Sequence, residues 1–567
     1  MSGLFGTLGV ARSGLTASQL ALQTTANNVA NAGTAGYTRQ RADLEQSLPE
    51  TLPVGQLGTG VRVDDIRRLR DRYLDQQFYL AQQTLGEREA QHAALAEIEA
   101  LLAEPSEAGL RQSLSDFFTA LSDLSSYPTD LTSRRAVLEQ GRTLAGSFNR
   151  LAAGLADMKR NMEAELVRLA ADANGLIAEL GTLNSQIQAV TIAGGSPNAL
   201  MDQRDRNLDE LARLVGITRT DRSDGAVQVS LAGGGGLLVD GTATGTLAVR
   251  LSTTQDAFEL TLDGAAVRPS GGRIDGLLHA RNDRGEYVKY VEEQLDTLAA
   301  TLIRAMNGLQ AGGAGLVGLA QATSTNAVSD PSAALGSAGL PFPLAAGSLE
   351  VFVYDATDAV TGSASIPVDP AATSLDDLAA ALDAVPGLTA SVAGGRLTVG
   401  AAAGSTFRFG GDASGALTAL GLGGFFTGTT ARSIAVDEAL AADPRLLATG
   451  EVDAATGGVA PGDTQVVRAM AGLREALLLQ GGSASLLDVY AQAVGVVGAR
   501  TAAMAQQGQS QALVVETVQN RREQVSGVSL NEEMAELVRL QYAFQASART
   551  ITVVDELLNT VVNGILR

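Results

Sequence analysis

Both ends of this chain carry an apolar stripe in heptad spacing, and neither end has enough apolar residues to form a core of its own. Near the amino terminus Leu8, Leu15, Leu22 and Val29 fall seven residues apart, with Ala11, Ser18 and Thr25 at the alternate seam positions. In the closing segment Leu537, Leu540, Phe544, Ile551, Val554, Leu558, Val561 and Ile565 recur at steps of three and four, interrupted only by Ser547. Such spacing specifies long helices that bury one face against another helix. A continuous closing helix of about 37 residues would span roughly 55 Å. Ser529 followed by Glu532 is a capping-box signature at its start, and Glu532, Glu533 and Glu536 suit the positive end of the helix dipole. Small residues off the main stripe, such as Ala17, Ala21 and Ala26, permit close packing on other faces. The two stripes must cover each other or be covered by other molecules. Pairing them makes a coiled-coil-like inner domain of 1–60 with 522–567, and turns the middle of the chain into an insertion.

That middle changes period twice. A helical pattern runs from about Ile66 to Ala103, stops at Pro105, and continues from Gly109 to Val215 with breaks near Pro128 and Gly194. From Ile217 apolar and polar residues alternate, and Asp-Gly pairs at 224, 240 and 263 mark hairpins. Helix returns from about Glu286 to Leu309, and again near Gln465 with a break at Gly481-Gly482. These segments predict a helical middle domain, 61–330 with 435–521, carrying a β-hairpin region at 217–276. Between them "SLEVFVYD", "ASIPVD", "LTASVA", "RLTVGA" and "TFRFGG" read as strands, and Ser374 opens a helix. They predict an inserted mixed α/β outer domain at 331–434. The fold class is α+β, multidomain.

Composition removes whole classes of function. With 62 acidic against 41 basic residues and a net charge of −21, neither nucleic acid nor an anionic membrane is a suitable main partner. The absence of cysteine removes disulfides, thiolate catalysis and cysteine-bound metals. The first 25 residues lack the basic start and unbroken apolar core of a cleaved secretory signal, and nowhere do 18 apolar residues run together. His92 and His279 lie far apart and suit structural positions. The glycines at 233–236 lack the Gly-Lys-Ser/Thr of a phosphate loop, and "DRSDG" at 221–225 lacks the ligand spacing of a calcium loop, so both read as turns. Asp376 and Asp377 sit in a first helical turn where the dipole accounts for them. No catalytic residue, cofactor or metal ligand is nominated, and an enzyme is not expected.

One stretch resists an ordinary reading. "TTANNVANAGTAGYTRQR", at 24–41, places Asn27, Asn28 and Asn31 on a helix that their amides weaken. It resembles the amino-terminal signature of the axial proteins of the bacterial flagellum, the rod, hook and hook-associated proteins. "AGYTRQ" at 35–40, with "RDRYLDQQF" at 70–78 and longer stretches at 114–149, 183–217 and 527–562, is most similar to the hook-associated protein 1 branch at the hook-filament junction. The insert at 331–434 carries no part of the resemblance. "MNGLQAGGAG", with Gln310, departs from a branch that often has a histidine and a fuller loop there.

The resemblance implies a structural adaptor that joins hook to filament. It would be exported by the flagellar apparatus without a cleaved signal and located outside the cell. Its partners would be the hook protein, a second hook-associated protein on the filament side, other copies of itself in a ring, and an export chaperone at the carboxyl-terminal helix. Nucleic acid and membrane insertion are not expected. Assembly contacts are expected from Leu8, Leu15, Leu22, Asn27, Asn28, Val29, Asn31 and Tyr37, and from Leu537, Leu540, Phe544, Ile551, Leu558 and Ile565. Alternatives are another axial protein, such as a hook or distal rod protein, or a secreted adhesin or cell-wall hydrolase.

Overall fold

The computed structural model describes residues 2–52, 55–102, 109–253, 256–283, 285, 287–460 and 462–565. Helices α1 (Ser2–Ala30), α2 (Arg72–Leu102), α3 (Leu110–Ser126), α4 (Leu131–Ile192) and α5 (Asn198–Leu214) lead, and α6 (Gly272–Asn282) and α7 (Val288–Ala311) follow the hairpin region. Three short helices, α8 (Leu375–Asp383), α9 (Ala416–Leu420) and α10 (Glu438–Ala442), precede the closing α11 (Gln465–Gly472), α12 (Leu486–Ser526) and α13 (Leu530–Ile565). Two compact units share the chain. One takes Met1–Ala93, Met162–Asn282 and Ala503–Arg567, the other Ala94–Asn161 and Asp283–Ala502.

In the first unit the helix expected from about Ile66 to Ala103 starts six residues later, at Arg72, and Ile66 itself lies on a strand. Val61–Arg68 runs antiparallel to Gln40–Gln46, pairing Ile66 with Ala42, and a shorter hairpin joins Glu50–Leu52 to Gly55–Leu57. The alternation of Val61 and Val63 with Arg62 and Asp64 has the strand period, and α2 begins only at Arg72, where Asp71 Oδ1 accepts from Tyr73 N at 2.8 Å. The hairpin region forms a four-stranded and a three-stranded antiparallel sheet over 217–267, and α6 starts inside the span expected to be hairpin. Gly233, Gly234 and Gly236, all at positive φ, make the turn between Val227–Leu231 and Leu237–Asp240. Asn184 of α4, wholly buried, fastens helix to sheet. Its Nδ2 donates to Val227 O and Gly241 O, and its Oδ1 accepts from Val227 N.

The second unit packs Phe117 and Phe118 of α3 against Phe425 and Phe426, with Phe117 and Phe425 edge to face at 5.5 Å. Gly141 permits this, because a Cβ there would lie 2.9 Å from Phe425. Buried Arg134 donates from Nε to Pro128 O at 2.8 Å and from Nη2 to Thr449 Oγ1 at 3.1 Å, and burial lowers it to about 10. Asn307 of α7 bonds Phe425 N, Phe426 N and Phe426 O, and Gln310 bonds Ala448 N and Leu446 O. All five strands read in the insert are present, and Ser374 caps α8 in a reciprocal box with Asp377. The insert core of Val351, Leu378, Leu397 and Phe407 also takes Ala311, Ala322 and Val328 from upstream.

Candidate assembly site at the joined termini

Helix α1 packs along α13, and small residues do the close packing. Ala11, Ala17, Ser18, Ala21, Thr24 and Thr25 are buried, whereas Leu8, Leu15, Leu22 and Val29 are half-buried. The buried hydroxyls of Thr24 and Thr25 donate back to Leu20 O and Ala21 O, so no donor is stranded in the seam. On α13 Leu540 and Val554 are buried and Leu537, Phe544, Ile551 and Leu558 half-buried; the side chain of Ile565 lies outside the described residues. Ser547, the break in the stripe, faces Gly14. A Cβ on Gly14 would lie 3.0 Å from Ser547 Oγ, so the two small residues mark a close approach of the helices.

The asparagine stretch folds back as a lock on the start of α13. Asn28 is 1% exposed, and every hydrogen-bonding position of its amide is taken. Nδ2 donates to Gln40 O at 2.8 Å and to Glu533 Oε2 at 2.9 Å; Oδ1 accepts from Tyr37 Oη at 2.8 Å and Gln40 N at 3.0 Å. Glu533, 2% exposed, receives Arg39 Nε at 2.6 Å, while Arg39 Nη1 reaches Glu532 at 2.8 Å and Arg39 N donates to Ser526 O. Gly36, at φ +75°, turns the chain beside Arg206, whose Cδ would lie 2.6 Å from a Cβ. Burial, helped by Asp202 and Glu533, raises Tyr37 to about 12, so its hydroxyl stays a donor. Asn31 is held more loosely, donating to Asn27 Oδ1 at 2.9 Å, and Asn27 is exposed. The amino-terminal and carboxyl-terminal motifs therefore meet, and the amide of Asn28 is spent inside the chain.

Two further motifs meet beneath this lock. Arg70 and Asp75 from "RDRYLDQQF" join Asp202, Arg204, Asp205 and Asp209 from α5 in a buried ion cluster. Asp205 accepts from Arg68 at 2.8 Å, Arg70 at 3.0 Å and Arg219 at 2.8 Å. Burial alone would raise its carboxyl; Arg70, Arg219 and Arg68 overturn that and hold it far below the usual carboxylate range. Asp209 is the opposite case: burial raises it to about 6 against the pull of Arg522. Arg522 of α12 bonds Asp75 at 3.1 Å and Asp209 at 3.2 Å, and lies 4.2 Å over the ring of Phe78. Asp202 also accepts from Thr38 N, which ties the cluster to the lock. Arg70 and Asp75 are only five residues apart, but the pairings of Asp205 with Arg68 and Arg70, and of Arg522 with Asp75 and Asp209, join partners too far apart in the chain to be foreseen.

A second stripe on α13 was also missed. Leu530, Met534, Val538, Tyr542, Val553 and Leu557 are exposed, and 534, 538 and 542 repeat at the helical step of four. Tyr542 is 69% exposed, the highest of the six. This outer face adds to the half-buried leucines a run of apolar surface that single soluble chains rarely leave open. No helix among the described residues is long and apolar enough to cross a membrane.

The chain is similar to known proteins in sequence and in fold. The family described as flagellar hook-associated protein FlgK helical domain matches residues 95–323. Flagellar basal body rod protein families match both ends, a rod protein family at 8–38 and the FlgEFG carboxyl-terminal family at 520–564. The chain is 29% identical over 580 residues to flagellar hook-associated protein 1 of Bacillus subtilis, covering 100% of this chain and 99% of that one. It is 26% identical to the protein of the same name from Escherichia coli, covering 98% of each. The solved flagellar hook junction protein FlgK from Burkholderia pseudomallei shares the fold at TM-score 0.54 and 16% identity, over 80% of this chain and 100% of that one.

Proposed function

We propose that the chain is a member of the flagellar hook-associated protein 1 family and a structural adaptor joining hook to filament, a reading supported by its full-length similarity to relatives of that name and by the match to the helical-domain family. It is a flagellar structural protein and not an enzyme, as its named relatives are hook-associated proteins. The observation that carries the adaptor reading is the outer stripe of α13: a helix already paired with α1 on one face keeps Met534, Val538 and Tyr542 open on another. Covering that stripe takes a neighbouring subunit.

In this reading 1–60 with 522–567 form the axial domain that packs around the central channel. Residues 61–330 with 435–521 form the helical middle, and 331–434 an outward domain. These boundaries are functional and cut across the two compact units. Leu8, Leu15, Leu22, Val29, Leu537, Phe544, Ile551, Leu558 and Ile565 are edges of the seam that assembly closes, and Asn27, Asn31 and Tyr37 border the lock. Asn28 and Leu540 shape the joined termini from within. Hook protein lies on one side, a second hook-associated protein on the other, and copies of the chain form a ring between them. The subunit leaves the cell through the flagellar export apparatus, with a chaperone covering the apolar faces of α13 beforehand. Immunogold labelling of isolated flagella tests this: the expected result is a single band where hook meets filament. Label spread along the hook would make the chain a hook protein instead.

A further inference from the structure

A cavity of about 390 Å³ opens beside the ion cluster, between Val61–Arg68, the loop at Gly195–Pro197 and the turn at Asp221–Ala226. One wall holds Arg204, 2% exposed. Its Nη1 donates to Gly225 O at 2.8 Å, while its Nε meets no acceptor among the described residues. Asp205 Oδ1, at 3.7 Å from that nitrogen, is beyond hydrogen-bond reach and already bound by Arg219. Thr191 lines the same wall, and its Oγ1, 3.0 Å from where a Cβ on Gly225 would stand, is likewise buried without a partner among the described residues, just behind the cavity surface. Two buried donors thus flank one glycine.

The rim adds charge that can move. Arg72 is 84% exposed and touches Asp221 at 3.0 Å; Arg222 is 44% exposed and touches Asp240 at 2.9 Å. Solvated pairs of this kind are weak, so both guanidinium groups are free to turn toward a stronger anion. The lining carboxylates are occupied: Asp75 by Arg70 and Arg522, Asp221 by Arg219 as well as Arg72, and Asp65 by Ser196. Burial and the neighbouring Arg219 and Arg68 lower Arg204 to about 10, with Asp205 opposing, so an added anion relieves a desolvated, crowded cation.

We propose that this cavity binds a small tetrahedral oxyanion of the phosphate class, held by Arg204 and Thr191 from within and by Arg72 and Arg222 at the rim. Donors on several sides of one space suit a tetrahedral ion better than a planar carboxylate, and a dianion competes best for the rim arginines. Calorimetric titration of the full-length chain with inorganic phosphate, against sodium chloride at matched ionic strength, should show saturable binding. Thr191→Val removes a hydroxyl that has no partner in the free chain. It should leave the melting temperature unchanged while weakening phosphate about tenfold, as for one hydrogen bond to a charged group. Arg204→Gln should abolish saturation; if that variant fails to fold, Thr191→Val with Arg222→Gln carries the test. Phenyl phosphate, run in parallel, separates the sources: binding of both probes assigns a phosphate ester as well, and binding of inorganic phosphate alone assigns the free ion. Absence of saturable binding, equal affinity in wild type and Thr191→Val, or acetate binding as tightly as phosphate would each overturn the assignment.

Discussion

Placing aspartate on the outer stripe of α13 separates folding from assembly. Val538 is 47% and Leu557 48% exposed, so Val538→Asp with Leu557→Asp removes nothing that the single chain has buried deeply. Exposed substitutions of this kind change stability by about 0.5 kcal/mol each, and the poorer helix propensity of aspartate adds a similar amount. The monomer should melt within a few degrees of wild type. In the assembled state the balance is different. Full burial of a valine or leucine is worth about 1.5–3 kcal/mol, so closing the open half of each contributes about 1 kcal/mol. Aspartate loses that gain and places an unpaired carboxylate in the contact, at several kcal/mol per site. Two sites together exceed about 5 kcal/mol, more than a thousandfold in subunit affinity.

The assay is a strain whose only copy is the double variant, scored for filaments per cell by electron microscopy and for filament protein released into the medium. Hooks should form and filaments should not, with subunits shed. Leu540→Asp is the control: Leu540 is 6% exposed in the inner seam, so that change should lower the melting temperature of the monomer itself. Wild-type filament numbers in the double variant would refute the reasoning, because the outer stripe would then face solvent in the flagellum.

Two further outcomes follow from the same unit. Asn28→Leu leaves Gln40 N and Tyr37 Oη without their acceptor, and Glu533 without one donor, and should cost about 3 kcal/mol in chemical denaturation; a loss under about 0.5 kcal/mol would show that the lock is dispensable. His279, half-exposed, is raised to about 9, first by its hydrogen bond to Asp275 and against the effect of burial. Because the folded value lies above the unfolded one, near 6.5, its contribution is complete below about pH 6.5 and is lost as pH rises through 9. His279→Gln should therefore melt below wild type at pH 6 and match it at pH 9.5, and a constant gap across that range would exclude the imidazolium as the cause.

Period explains what was readable in the chain and what was not. The insert strands, α3 to α5 and α13 each repeat one period for long enough to be recognised. The strand Val61–Arg68 is not read from the sequence, and its end at Ile66–Arg68 is merged with the helix that follows, because charges at 62, 64, 65, 67 and 68 obscure its alternation; only Val61, Val63 and Ile66 are even half-buried apolar residues. On α1 the stripe of leucines is only half-buried, and the alternate seam positions Ala11, Ser18 and Thr25, with Ala17, Ala21 and Thr24, lie deeper, since heptad reading scores apolarity and close helix approach selects for size. The outer stripe at 530, 534, 538 and 542 is present in the sequence, but the stronger inner stripe by itself accounts for the helix. Apart from Arg70 with Asp75, the ion cluster leaves little local pattern: Arg68 finds Asp202 across 134 residues.

The polar lock also explains why the termini close on asparagine and glutamate where more leucine would seem sufficient. An apolar heptad seam is degenerate, because sliding α1 by seven residues against α13 still sets apolar or small side chains against one another. Asn28, Arg39 and Glu533 remove that degeneracy. A slide would bury Glu533 away from Arg39 and leave the donors at Gln40 and Tyr37 unpaired, a loss of several kcal/mol concentrated at one point. Gly14 opposite Ser547 adds a steric mark about four helical turns from Asn28: the close approach is possible only where two small residues coincide. Register set in this way fixes where the outer residues Met534, Val538 and Tyr542 stand relative to α1, and so fixes the surface a neighbouring subunit meets. The asparagines that weaken the end of α1 thereby determine the geometry on which assembly depends.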